Sequence, residues 1–116
     1  MGRRSRQRIK PPVAPVSAYE DAQAGVLALR GALKPGSRRE YTDTLAGGID
    51  REDARQRATE LLFERLAVSW EIAGVTTTSA RELLERYRIA ASAEREFVRA
   101  ALRRHVEENF PELPAP

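Results

Sequence analysis

The chain has 116 residues, 41% of them hydrophobic and 32% charged, the balance of one folded domain rather than of a disordered or fibrous chain. It contains no cysteine and a single histidine, which excludes disulfides and thiolate metal sites and leaves no ligand cluster for zinc. No apolar run approaches the roughly 18 residues of a membrane span, and the cationic start lacks the apolar core of a secretory signal, so the expected compartment is the cytoplasm.

The net charge of +3 is unevenly placed. Arg3, Arg4, Arg6, Arg8 and Lys10 fall within the first ten residues with no acid among them, so the rest of the chain carries more acids than bases. Pro11, Pro12 and Pro15 follow and stiffen the backbone toward polyproline II. Residues 1–16 are therefore expected to be a disordered Arg-rich arm. Its five cations are the candidate contact for nucleic acid or another polyanion. With no aromatic side chain to stack on bases, such a contact would tolerate any sequence.

Three Ser-x-x-Glu patterns come next, "SAYE" at 17–20, "SRRE" at 37–40 and "SARE" at 79–82, each matching a helix capping box. The first predicts a helix from about Ala18 to Leu33, with Ala18, Ala22, Gly25, Val26, Leu29 and Leu33 on one stripe. Lys34-Pro35-Gly36 ends it. A short helix over "RREYTDTLA" stops at Gly47-Gly48. Asp50 then caps the longest predicted helix, Arg51 to Ala73. Its main apolar stripe is Ala54, Ala58, Leu61, Val68 and Ile72, while Phe63 and Trp70 fall nearly opposite. A helix apolar on two sides wants neighbours on both, so a homo-oligomer or a protein partner is expected. Arg65 sits in the middle of the main stripe, where a charge is seldom buried without a partner. Phe63 and Trp70 are read first as core anchors, because large aromatics dominate core burial; with Arg65 they are also the candidate protein interface.

The stretch "IAGVTTTSARELL", residues 72–84, resembles the centre of a helix-turn-helix, with Gly74 in the turn and Ala80 and Leu83 packing the second helix back. Trp70 stands where the tight helix crossing favours a small residue. Ser79 starts the second helix after five turn residues, and Glu82 and Glu85 share its outward face with Arg81 and Arg88. An ordinary helical corner is the expected reading. A DNA-binding regulator using a degenerate helix-turn-helix at residues 66–88, with Arg81 and Arg88 as DNA contacts, is the alternative. Two further helices are predicted, Ala80 to about Ala91 and Ala93 to Asn109, the second bearing His105 within an apolar stripe as a satisfied core histidine. Pro111 and Pro114 close the chain.

The sequence thus predicts an all-α domain of four to five helices over residues 17–110, wrapped around a long central helix, with disordered termini, the second a Pro-rich tail at 111–116. No glycine-rich phosphate loop, catalytic triad pattern or metal-ligand spacing is present, so no cofactor, metal or small-molecule substrate is expected. The function this implies is a non-enzymatic interaction protein, a complex subunit or small scaffold, with a basic arm. An accessory subunit of a larger enzyme is a further alternative.

Overall fold

The computed structural model describes residues 15–116, and it overturns the all-α expectation. The elements run β1 (Val16–Asp21), β2 (Gly25–Arg30), α1 (Pro35–Ala46), α2 (Arg51–Leu66), β3 (Ala67–Ile72), β4 (Val75–Thr77), α3 (Ala80–Ile89) and α4 (Ser92–Asn109). The strands form one antiparallel sheet in the order β1-β2-β3-β4. Two hairpins, each followed by two helices, make a mixed α/β domain rather than a helical bundle.

The helix expected over Ala18–Leu33 is the first hairpin. Its turn is held by Asp21, whose Oδ2 accepts from the backbone N–H groups of Gln23 and Ala24 at 3.0 and 2.9 Å. Those bonds, Ala24 first, hold the exposed Asp21 carboxyl below its ordinary pKa. Gly25 follows at φ +90°, and a Cβ there would lie 1.9 Å from the Glu71 carbonyl oxygen. Strand pairing then alternates cleanly, Tyr19 opposite Leu27 and Ser17 opposite Leu29.

The long helix expected to reach Ala73 ends at Leu66, and the chain enters β3 with no connecting residue. The Ala67 N–H still closes the helix on the Phe63 carbonyl, while Ala67 itself pairs with Leu29 across the sheet. A bulge between Ala28 and Leu29 absorbs one extra residue on β3. This junction explains the two-sided apolar pattern. Leu62, Phe63 and Leu66 are buried from a helix, whereas Trp70 is buried from a strand with a different period. Residues 66–88 accordingly form a strand hairpin and one helix, and no helix-turn-helix exists there.

Ala73-Gly74 is the two-residue turn between β3 and β4, with φ +52° and +81°, as a type I′ turn requires. Alanine is a poor residue at positive φ, because its Cβ crowds the carbonyl. Ala73→Asn should therefore stabilise the fold by about 1 kcal/mol, readable as a higher urea midpoint at unchanged slope. A neutral or destabilising result would contradict the turn geometry.

Of the three capping boxes, only "SARE" caps a helix: Ser79 Oγ accepts from the Glu82 N–H at 3.4 Å. "SAYE" lies in β1, and "SRRE" lies inside α1, which starts earlier at Pro35. Asp50 caps α2 as expected, accepting from Glu52 and Asp53.

The core lies between one sheet face and the helices. Leu27, Leu29 and Trp70 point into it beside Leu62, Phe63, Leu66, Leu83, Val98 and Leu102, all essentially inaccessible to solvent. Phe63 stacks on Tyr87 at 5.1 Å and meets Trp70 edge-on at 6.0 Å. The Trp70 indole N–H donates to the Ala24 carbonyl at 2.8 Å, tying β3 to the first turn.

Residues 111–116, expected to be a disordered tail, instead run back across α1 and pack there. Arg38 pairs with Glu112, Leu113 packs on the core, and the Tyr41 hydroxyl donates to the Pro114 carbonyl at 2.6 Å. Burial pushes the Tyr41 phenol up to about 12.

Candidate functional site

His105 is placed by α4 and fully buried. One ring nitrogen, Nε2, lies 2.8 Å from the Arg30 carbonyl oxygen. A carbonyl only accepts, so Nε2 carries the proton and donates. Nδ1 is then an acceptor, and it receives the Tyr19 hydroxyl at 2.8 Å and the Asn109 amide at 3.2 Å. Burial, the largest effect, raises the Tyr19 pKa and keeps its phenol protonated for that role. Both ring nitrogens are committed to internal bonds, so His105 fastens α4 to β1 and β2 and has no free nitrogen to offer a metal or substrate. Among the described residues, no group of three or more His, Cys, Asp or Glu could hold a metal ion. No described helix is long and apolar enough to cross a membrane.

The residues singled out from sequence fall into three groups. Arg3, Arg4, Arg6, Arg8 and Lys10 lie outside the described residues. Phe63 and Trp70 are enclosed in the chain's own core, as the core-anchor reading expects, and are not available as interface residues. The helix expected to be apolar on two sides stops at Leu66, and Trp70 is buried from β3 instead. Arg65 does reach the surface. It pairs with Glu40 across the α1–α2 contact at 2.9 Å, while its Nε is covered without a hydrogen-bond partner. Arg81 and Arg88, the alternative DNA contacts, are each engaged with a carboxylate. Arg81 lies 3.6 Å from Glu85, and Arg88 forks onto Glu60 of α2 at 2.9 and 3.1 Å. The hydrogen bond to Glu60 raises the Arg88 pKa.

Two surfaces absent from the sequence reading are the better candidates. The first is the outer face of the sheet. Strand alternation places Ala18, Ala28 and Ser69 side by side there, as direct partners across three strands. One row toward the turns stand Glu20, Val26 and Glu71, and one row the other way stand Val16 and Arg30. None of these residues is buried, in contrast to the inward set. Glu20, Arg30 and Glu71 have no ion-pair partner within 4.0 Å among the described residues. The face is thus a patch of small side chains with two acids at one end and a base at the other.

The second is a cleft of about 270 Å³ between α2 and α4, bordered by Pro116. Helix α4 presents Arg95, Arg99 and Arg103 along it, spaced four apart and therefore on one flank. Helix α2 contributes Arg55, Gln56 and Thr59 opposite, and Tyr87 of α3 forms part of the wall. That arginine spacing was legible in the sequence. Its meeting with α2 was not, because it depends on where the sheet sets α4.

Compared with known protein families, with curated proteins and with solved structures, the chain finds no match.

Proposed function

We propose that the protein is a non-enzymatic interaction subunit that pairs through the outer face of its sheet with a second copy of itself. The N-terminal arm adds an electrostatic contact for nucleic acid or another polyanion. The observation that carries this reading is the three-row pattern of the outer face. Turning one copy over about an axis in the sheet plane, across the strands, sets Glu20 and Glu71 of one copy against Arg30 of the other. The two Ala18–Ala28–Ser69 rows then meet at the centre. Small side chains there let two sheets approach to about 10 Å, and the charge rows complement each other twice by symmetry. The patch is at the small end of specific interfaces, so the affinity fits the micromolar range. The arm supports the polyanion contact by charge alone, since phosphate contacts position a protein without reading sequence.

Sedimentation velocity across about 1–100 µM protein tests the pairing, a range that brackets micromolar affinity. The expected result is a monomer–dimer equilibrium that Ala28→Arg abolishes while the circular dichroism spectrum stays unchanged. Reversing one end with Arg30→Glu should also weaken it, and adding Glu20→Arg and Glu71→Arg should restore it. A chain that is monomeric throughout, or a dimer indifferent to Ala28→Arg, would end this reading.

A further inference from the structure

We infer that the cleft between α2 and α4 is a binding site for a dianionic phosphate group carried by a small molecule. Four guanidinium groups line it, from Arg55, Arg95, Arg99 and Arg103, against two carboxylates, from Glu52 and Glu60. Glu60 is drawn away toward α3 by the two bonds from Arg88. Glu52 stands 3.8 Å from Arg55, too far for a hydrogen bond. Arg99 is oriented by Glu96 at 2.6 Å, and that bond raises its pKa. Arg95 and Arg103 have no carboxylate within 4.0 Å among the described residues. The cleft therefore holds more positive charge than its own acids neutralise.

Two observations point from charge to a ligand. Arg95 lies over the Tyr87 ring at 5.5 Å, and Tyr87 is itself stacked on Phe63, so the guanidinium is held against a rigid support. Its Nε is covered from solvent and has no hydrogen-bond partner. A buried donor left unmade is costly, and a small shift of the Arg95 side chain onto an oxygen anion in the cleft would give it an acceptor. Arginine forks match phosphate oxygens in pairs, and an arginine fixed in advance loses less freedom on binding. The volume decides the size of ligand: about 270 Å³ lies just below the usual range for drug-sized molecules. A recess flanked by Glu52 and Glu60 also suits a compact anion better than the continuous backbone of a nucleic acid. This site is separate from the sheet face and stands or falls independently of the pairing proposed there.

The test is isothermal titration of the full chain with inorganic phosphate, pyrophosphate and adenosine monophosphate, each against chloride at matched ionic strength. Arg95→Met and Arg103→Met keep the aliphatic stem while removing the charge, and Arg81→Met is the control outside the cleft. The expected result is saturable binding of at least one phosphate compound, weakened at least tenfold in Arg95→Met and Arg103→Met and unchanged in Arg81→Met. Absence of binding at millimolar ligand would overturn the proposal, as would equal weakening in all three variants. Binding of an oligonucleotide that none of the three small compounds displaces would make the cleft a nucleic-acid contact instead, and would overturn it too.

Discussion

Replacing Trp70 with alanine is expected to lower stability by about 3–5 kcal/mol, the range for emptying a large aromatic site in a core. A domain of this size holds only about 5–15 kcal/mol in total, so much of the protein should be unfolded at physiological temperature. Trp70 is fully enclosed, and its ring meets Phe63 edge-on while Arg86 lies 5.9 Å above it. Its indole N–H satisfies the Ala24 carbonyl. Trp70→Phe separates the two contributions, since it keeps most of the ring and deletes the bond. That variant should lose a smaller amount, on the order of 1–3 kcal/mol, from the unmet carbonyl and the volume difference. Urea unfolding followed by circular dichroism reads both, the chain having no other tryptophan to report by fluorescence. A loss below about 1 kcal/mol in Trp70→Ala would contradict the burial of this residue.

Gly25→Ala should be nearly as damaging. At φ +90° any L side chain is strained, and the added carbon would lie 1.9 Å from a carbonyl oxygen of the neighbouring strand. Strain and overpacking together should cost about 3–5 kcal/mol, because the obstacle is backbone in the sheet's central pairing and cannot swing aside. Gly36→Ala is the contrast. Nothing lies within 4 Å of a Cβ at Gly36, so alanine in the first turn of α1 should be neutral or stabilise by up to about 1 kcal/mol. Equal thermal midpoints for the two variants would show that the β2–β3 approach is looser than described.

Parts of the fold were legible because their signals are local. Asp50 and Ser79 mark real helix starts, Gly47 a real stop, and the last two helices lie within one or two residues of expectation. The strands were hidden for a physical reason. "GVLALR" is short and rich in alanine and leucine, so its alternation overlaps a helical stripe, and Leu29 is inward under either period; "AVSWEI" follows an amphipathic helix with no break, so its apolar residues extend that helix's pattern. What decides for the sheet is pairing between segments some forty residues apart, and a single segment carries no record of that partner. One sign was visible even so. A helix from Arg51 to Ala73 had to be apolar on opposite sides, and that contradiction marked a change of element inside it. The outer sheet face could not be read before the strands were known, and its charge rows are meaningful only in their register. The α2–α4 cleft was half legible, as an arginine row without its opposite wall.

The hydrogen bond from His105 to the Arg30 carbonyl spans 75 positions, and it sets an order of events during synthesis. A ribosome adding about 5–20 residues per second needs roughly 4–15 s to travel that distance. Throughout that interval the first hairpin has emerged without α4 to clamp it, and for part of it without β3 beside it. An isolated hairpin is marginal at best in water. The nascent chain therefore carries an unpaired, apolar strand edge for seconds before the fold can close. That is the window in which a chaperone, or a second nascent copy, would meet it.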